Sequence, residues 1–284
     1  MDEPQLPTKP RRPWIAALLS LLLPGLGQLY DGEPWRGLAL YLGSLAVVAV
    51  PLWIGLPKTF PGLVVFILIF LTYWFWMLWD AASIARRNQD YVLKPFNRWY
   101  LYLAALIVIN LSASRLVVPK LLASSPVRAF KIPSGSMEPA VRIGDRLYAD
   151  MTYYRSVKPS RGDLVIFVSP EGPGVQLFQR IIGLPGERIE IRDKMVYING
   201  QRLDDPWRHA SKDELAYISS PELRKRDNLA PVMIGGDQVF VMGDNRDRSY
   251  DSRFYGPVPI SNLQGRALYV YWSPDRSRIG KTLR

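Results

Sequence analysis

Two serines lie close together in a short segment bounded by prolines, and this segment could present a hydroxyl nucleophile on an exposed turn. The segment reads IPSGSMEP, with Ser134 and Ser136 between Pro133 and Pro139. Because proline lacks a backbone N–H and fixes φ, the segment cannot continue a helix or a central strand. A serine hydroxyl becomes a useful nucleophile only when a neighbouring group takes its proton. Ser/Gly/Pro clusters are usually ordinary loops, so this segment alone is weak evidence for catalysis. A catalytic interpretation needs support from further motifs along the chain.

The composition restricts which base and which kind of site are available. The chain of 284 residues contains one histidine and no cysteine. The missing cysteines exclude disulfides, a thiolate nucleophile and cysteine-based zinc or iron–sulfur sites. A multi-histidine metal site is also excluded, and a Ser-His-Asp triad could rest only on His209. That histidine lies in a polar stretch, where an ordinary surface role is more common. We therefore expect no metal and no cofactor.

The charge balance bears on the partners of the protein. Lys and Arg outnumber Asp and Glu by 36 to 25, a formal net charge of +11. Such a balance suggests nucleic acid or an anionic membrane surface. In the second half of the chain, however, the basic residues are mixed with acidic ones and are not clustered with aromatic residues. We therefore predict no nucleic-acid partner.

The apolar residues are concentrated in the first part of the chain, where they predict membrane helices. A bilayer core requires about 20 predominantly apolar residues per helix. The last three of four apolar stretches meet this length with tryptophan or tyrosine near their ends, as membrane spans do. The first stretch is shorter and is interrupted by Pro24, Gly25 and Gly27, so it could be a span, a re-entrant hairpin or an interfacial helix. The four stretches are 14–30, 37–56, 61–79 and 99–118.

Basic residues between these stretches predict the orientation. The connection 80–98 carries four basic residues and is expected on the cytoplasmic side. The last stretch then places residues 119–284 outside the cytoplasm. The basic tail 1–13 also prefers the cytoplasm, which requires an odd number of crossings. We therefore favour three full spans within a membrane region of 14–118, with Trp14–Tyr30 not crossing fully; four apolar helical segments remain the alternative. The lipid bilayer is thus an expected partner.

From residue 119 onward the pattern changes to that of a mainly-β domain. Short runs with β-branched or aromatic residues alternate with glycine-containing turns. Asn199-Gly200 follows one such run and is typical of a hairpin turn. A polar stretch at about 200–236 has the composition of an insertion. The predicted fold class is therefore N-terminal transmembrane α-helices followed by a mainly-β domain. The predicted strands are 128–132, 146–151, 163–168, 187–191, 195–198, 237–242 and 267–272.

Three further motifs follow the serine segment in order. They are Arg161-Gly162-Asp163, QRIIGLPGE beginning at Gln179, and GDNRDRSYDSR beginning at Gly243. Behind a membrane anchor, this set resembles the bacterial type I signal peptidases over residues 127–272. The resemblance implies a Ser-Lys dyad serine endopeptidase of the bacterial inner (plasma) membrane, which removes signal peptides from exported precursors. The membrane region is less typical, because these enzymes usually have one or two spans. The stretch 22–32 looks instead like a small membrane module from which we transfer no function.

The resemblance implies roles for individual residues. Ser136 matches the nucleophile, and its backbone N–H with the Ser134 hydroxyl matches the oxyanion hole. Ser249 matches a serine that orients the general base. The peptide is expected to lie extended beside a strand. Further matches are structural residues, Arg180, Asp251 and Arg253, and walls of shallow pockets for small side chains, Ile132, Pro133, Met137, Val141, Leu177 and Phe178.

One position departs from the pattern. The family's lysine base would stand directly before Arg180, where this chain has Gln179. An amide cannot accept a proton near neutral pH, although Gln179 could fill the space and hydrogen-bond to Ser136. Three hypotheses follow: hydrolysis is greatly reduced or absent, another base such as Lys131, Lys194 or His209 serves, or the glutamine replaces an active enzyme's lysine. The function is either signal-peptide cleavage or non-catalytic binding of signal peptides or a partner.

Overall fold

The computed structural model describes residues 9–88, 91–93, 96–112, 115–116, 119–120, 125–172, 174–208 and 224–283. The chain forms two compact units, one of residues 1–57 with 61–125 and one of residues 58–60 with 126–284. The first unit is helical and the second is mainly β. This confirms the predicted order of apolar helices followed by a mainly-β domain.

The first unit contains helices whose outward faces are apolar. The 20 residues of α3 give a length of about 30 Å, and the 28 residues of α4 give about 42 Å. Among the described residues, α3 and α4 are thus the two helices long and apolar enough to cross a bilayer. The described part of α5 has 14 residues, so the third predicted span stays a prediction. The helices are α1 Pro13–Leu22, α2 Leu26–Tyr30, α3 Pro34–Trp53, α4 Phe60–Arg87 and α5 Trp99–Ser112.

The apolar stretch Trp14–Tyr30 is not one helix. It divides into α1 and α2 because Leu23 is extended and Gly25 takes a positive φ of 86°. A side chain at Gly25 would lie 2.0 Å from the carbonyl oxygen of Gly37, so only glycine permits this close approach. With ten residues, α1 is about 15 Å long, half the thickness of a bilayer core.

Buried polar side chains join α2 to α3 and α4. The Gln28 side chain donates to the carbonyl oxygen of Met77 at 3.2 Å and to Asp80 at 3.1 Å. Arg36 donates to the same carboxylate at 3.0 Å. Gln28 is fully buried and Asp80 nearly so. Their polar groups are therefore paired within the protein, and these bonds hold α2 in position.

The second unit consists of two antiparallel sheets. The seven-stranded sheet has the order β1-β2-β11-β3-β4-β9-β10, and the four-stranded sheet has the order β7-β6-β5-β8. The predicted turn Asn199-Gly200 is confirmed, since Ile198 and Gln201 pair across it. The strands are β1 Val127–Lys131, β2 Arg146–Asp150, β3 Leu164–Val168, β4 Gln176–Gly183, β5 Arg188–Arg192, β6 Met195–Ile198, β7 Gln201–Arg202, β8 Leu229–Met233, β9 Gln238–Met242, β10 Val258–Pro259 and β11 Leu263–Trp272.

This unit differs from the sequence expectation in the polar stretch 200–236 and in four strands that were not predicted, β4, β7, β8 and β10. The strand β4 was not predicted, because Gln179 and Arg180 interrupt its apolar pattern although both side chains are buried. The polar stretch 200–236 is also not wholly an insertion. Its end, β8, pairs with β5, and Ile234 after it is buried. Composition alone missed β8 because three of its five residues are exposed.

Candidate active site

The two serines follow the edge strand β1, which ends at Lys131. The segment is anchored at both sides, since Ile132 and Met137 are buried in the core of the second unit. The N–H of Ile132 donates to the carbonyl oxygen of Asp145 at 2.9 Å. Between these anchors the Oγ atoms of Ser134 and Ser136 lie 3.3 Å apart. The structure therefore brings the predicted nucleophile and the predicted oxyanion-hole hydroxyl together.

The loop after β9 holds this segment in place. The backbone N–H of Asn245 donates to the carbonyl oxygen of Ser136 at 3.0 Å, and its side-chain amide donates to that of Gly135 at 3.2 Å. Carbonyl and N–H point in opposite directions across a trans peptide. The bond to Gly135 therefore orients the N–H of Ser136 away from Asn245, as an oxyanion donor requires.

Gly243 brings this loop close to both serine positions. A side chain at Gly243 would lie 2.5 Å from the carbonyl oxygen of Ser136 and 2.3 Å from Oγ of Ser249. Ser249 thus packs beside the nucleophile segment, and the role that the resemblance implies for it, orienting a general base, stays a prediction. The Gly243 N–H donates to Asp251 at 3.0 Å, which fixes the loop from behind.

Gln179 lies on β4 with 3% of its surface exposed, and both ends of its side-chain amide are hydrogen-bonded. Its Nε2 donates to the carbonyl oxygen of Tyr250 at 2.7 Å, and its Oε1 accepts from the Tyr255 hydroxyl at 2.6 Å. Burial raises the pKa of Tyr255, so its hydroxyl keeps its proton and remains a donor. Within the described part of the chain, Gln179 makes no hydrogen bond to Ser136. The bond that the sequence allowed is therefore replaced by two others.

Ser249 has lost the partner that the resemblance assigns to it. It is buried, and its Oγ has no hydrogen-bond partner among the residues that the structure describes. A buried polar group without a partner costs about 1–3 kcal/mol. An amine at position 179 is what the family pattern would supply to this hydroxyl; the amide of Gln179 is turned to Tyr250 and Tyr255 instead.

Two buried ion pairs support the loop. Arg253 and Asp251 form one, with Nε to Oδ1 at 2.8 Å. Arg253 also donates to the carbonyl oxygen of Arg246 at 2.7 Å. Arg180 and Asp244 form the other, with two parallel bonds of 2.7 Å. Burial raises the pKa of Asp244, and the paired guanidinium of Arg180 acts in the opposite direction. The first pair holds the loop 243–253 together internally, and the second ties β4 to it.

The predicted pocket walls do not all lie on one side. Ile132, Met137, Val141 and Phe178 pack in one apolar cluster. Leu177 belongs to a second cluster, because neighbouring residues of a strand face opposite sides of the sheet. Pro133 is exposed beside the serines.

Two of the three alternative bases lie within the described residues, and neither is seen to engage Ser136. Lys131 is exposed and has no hydrogen bond to Ser136, and Lys194 pairs with Asp247 at 3.4 Å. His209 lies outside the described residues. Within the described ranges no group of three or more His, Cys, Asp or Glu side chains could hold a metal ion. Sequence reasoning missed Asn245 and Tyr255, although Asn245 stands in a quoted motif and Tyr255 two residues after Arg253.

Comparisons with known proteins identify relatives of this chain. The chain is 38% identical over 150 residues to a probable signal peptidase I-2 of Synechocystis sp., covering 51% of this chain and 63% of that protein. It is 28% identical over 248 residues to a signal peptidase I of Pseudomonas fluorescens, covering 71% of this chain and 83% of that protein. A crystal structure of a signal peptidase I from Enterococcus faecalis is 32% identical, with a TM-score of 0.30, and the match covers 39% of this chain and 97% of that one. A model of the signal peptidase family, peptidase S26, matches residues 100–272. The chain therefore belongs to the signal peptidase family, peptidase S26, a family of serine endopeptidases.

Proposed function

We propose that this protein binds signal peptides of exported precursors beside Ser136 and hydrolyses them weakly or not at all. Weak or absent hydrolysis is supported by the two hydrogen bonds that occupy the Gln179 side chain, one to Tyr250 and one from Tyr255. A general base contributes about 10²- to 10⁴-fold to such a reaction, and loss of an activated serine can cost more. Binding does not require that base.

The free edge of β4 supports binding of an extended peptide. Strand β9 pairs with β4 only from Arg180 to Gly183. Residues 176–179 pair with β3 on one side and have no strand partner among the described residues on the other. An added strand there would use main-chain hydrogen bonds for affinity and alternate side chains for selection. Phe178, packed with Ile132 and Val141, would form the wall that selects small side chains.

We place the protein in the bacterial inner membrane as a multi-pass protein, with residues 119–284 outside the cytoplasm. The lengths of α3 and α4 support spanning, and Arg86 and Arg87 at the end of α4 support a cytoplasmic end there. The short α1 supports a first segment that does not cross fully. Three spans then place the peptide site outside the cytoplasm, where exported precursors emerge.

A fluorogenic peptide with alanine at positions −1 and −3 of the cleavage site tests this proposal on the full chain in detergent micelles. We expect the wild-type chain to bind the peptide with little or no cleavage. Gln179→Lys should restore cleavage by about 10²-fold or more because it returns a base to β4. Gln179→Met, of similar length but without a basic group, is the matched control and should stay inert.

Two results would decide against Gln179 as the reason for weak or absent hydrolysis. Wild-type cleavage at a rate equal to that of Gln179→Lys, abolished by Ser136→Ala, would show that another base serves. Inert wild-type and Gln179→Lys chains, both able to bind, would favour the alternative, a binding homologue whose site has diverged beyond position 179. Absence of binding in every variant would contradict the proposal as a whole.

A further inference from the structure

The helical unit contains a buried site for a cationic group that the hydrolytic chemistry does not use. We call it the Arg11 box and define it by Arg11, Tyr30, Asp31 and Tyr91. The Arg11 guanidinium carbon lies 4.4 Å from the ring centroid of Tyr30 and 4.4 Å from that of Tyr91. Aromatic faces on both sides of a cation attract it through the negative potential of the rings.

Arg11 satisfies the box only in part. Asp31 is fully buried, and both of its carboxylate oxygens have no hydrogen-bond partner among the described residues. The Nε and one terminal nitrogen of Arg11 are likewise buried and have none. No ion pair within 4.0 Å joins the Arg11 guanidinium to the Asp31 carboxyl group. A buried carboxylate without a donor is costly, so the box retains capacity for a further or better-placed cation.

The walls of the box are held without the Arg11 side chain. The Tyr91 hydroxyl donates to Asn97 at 3.0 Å, and Asn97 donates to the carbonyl oxygen of Tyr30 at 3.3 Å. Gly32 has a φ of +94°, and a side chain there would lie 2.3 Å from the Tyr91 hydroxyl. Glycine after Asp31 is therefore what lets Tyr91 close over the carboxylate. The box is preformed around whichever cation enters it.

The present occupant indicates the kind of ligand. Arg11 belongs to the basic run Lys9, Arg11 and Arg12, which directly precedes the apolar helix α1. Basic residues followed by an apolar run are the order of a signal peptide's first two regions. Leu29, beside Tyr30, lines an apolar cavity of about 160 Å³ with Leu26 and Leu38. The Arg11 box and the neighbouring cavity thus follow the same order as the peptide, a cation site followed by an apolar surface.

We propose that Tyr30, Asp31 and Tyr91 form a docking site for the basic amino-terminal region of a signal peptide, which Arg11 occupies in the free chain. The choice of ligand rests on the proposed function. The basic connection after α4 predicts that Asn88 and Tyr91 are cytoplasmic, the side on which a signal peptide's basic region remains. The site is therefore separate from the serine site and selects a different part of the same peptide.

The test measures peptide binding to the full chain in phospholipid nanodiscs. Two synthetic peptides share an apolar region and an Ala-x-Ala site but carry Lys-Lys or Gln-Gln in the first region, with acetylated amino termini. Arg11→Ala should vacate the box and tighten binding of the Lys-Lys peptide about tenfold, while binding of the Gln-Gln peptide stays unchanged. A gain confined to the Lys-Lys peptide does not arise from misfolding, because exposed apolar surface would bind both peptides through their shared apolar region.

Two variants serve as controls. Arg12→Ala removes the same charge from an exposed neighbour and should change binding less than twofold, on the order expected for a screened surface charge. Arg11→Ala combined with Asp31→Asn should lose the gain. No gain in Arg11→Ala, an equal gain for both peptides, or an equal gain in Arg12→Ala would each overturn the proposal.

A short peptide carrying only the Ala-x-Ala site separates this proposal from the one on the serine site. Its binding reports the groove beside Ser136 alone. If it fails to bind while Arg11→Ala still favours the Lys-Lys peptide, the groove proposal fails and the box proposal stands. If it binds while the charge of the first region has no effect, the box proposal fails alone.

Discussion

At the scale of single residues, the amide at position 179 changes the bonding of its neighbours. Gln179 takes one bond from Tyr255 and gives one to the backbone of Tyr250, so both of its polar ends are occupied. The Ser249 hydroxyl is left buried without a partner among the described residues. We therefore expect position 179 to affect chemistry and stability together, because the Ser249 hydroxyl, which the resemblance pairs with an amine, has no partner among the described residues.

Substitution of Ser249 should have opposite effects in two backgrounds. In the wild-type chain, Ser249→Ala removes an unpaired buried hydroxyl. The free energy of unfolding should therefore stay equal or rise by up to about 1 kcal/mol, and the unfolding temperature should not fall. In Gln179→Lys the hydroxyl has an amine to orient, and Ser249→Ala should lower the cleavage rate about tenfold or more. Thermal unfolding in micelles and the fluorogenic assay measure the two effects.

Ser252→Ala is the matched control. Ser252 is also buried, but its Oγ accepts from the N–H of Val241 at 3.0 Å. Its removal should lower the unfolding temperature in both backgrounds. A wild-type chain destabilised as strongly by Ser249→Ala as by Ser252→Ala would contradict the unpaired state of Ser249.

At the scale of elements, the segment after β11 is hydrogen-bonded to the turn that follows the nucleophile segment. Arg278 donates to Asp145 at 2.7 Å and to the carbonyl oxygen of Ala140 at 2.8 Å. Ser273 donates to the other oxygen of Asp145 at 2.7 Å. Burial by itself raises the pKa of Asp145, but the bonds from Arg278, the Arg142 N–H and Ser273 outweigh it and leave the pKa below its usual value.

This pair should make stability depend on acid pH. A carboxyl whose pKa is lower in the folded chain stabilises it above the unfolded pKa, about 3.9, and that contribution is lost as the pH falls below it. Asp145→Asn should cost about 3–5 kcal/mol at pH 7, because Arg278 is left buried without its charge partner. The unfolding temperature should also fall less between pH 5 and pH 3 in the variant than in the wild type.

Arg142→Ala is a suitable comparison, since the Arg142 side chain pairs with Asp275 on the surface and its backbone N–H remains. It should change stability by less than about 1 kcal/mol. An acid dependence identical in Asp145→Asn and wild type would show that Asp145 does not carry the effect.

At the scale of the whole molecule, a helical unit precedes a β unit. The helical unit has two helices long enough to span a bilayer among the described residues, whereas the basic connections predict three crossings. The chain contains no cysteine, so a single introduced thiol reports its side of the membrane unambiguously. The membrane topology of the full chain can therefore be measured directly.

Single-cysteine labelling with a membrane-impermeant maleimide should place the two ends on opposite sides. Lys158→Cys should react in intact spheroplasts, whereas Gln5→Cys and Arg87→Cys should react only after permeabilisation. The cysteine-free parent controls for background. Labelling of Gln5→Cys and Lys158→Cys from the same side would require an even number of crossings and would rule out three spans.

The sequence by itself determined the family, the order of helices and β domain, and the absence of a lysine at position 179. These follow from local features, since motif spacing, hydropathy and composition are readable without contacts. It did not reveal β4 as a strand, because burial of Gln179 and Arg180 depends on partners far along the chain, such as Asp244 and Tyr250.

Only the tertiary structure decided where the polar groups of the site point. It directs Gln179 to Tyr255 and Tyr250, leaves Ser249 unpaired within the described chain, and holds Ser136 through Asn245. It also places Arg11 between two tyrosines from separate segments. The hydrogen bonds of the serine site join residues up to 110 positions apart, and local sequence patterns do not show contacts at that range.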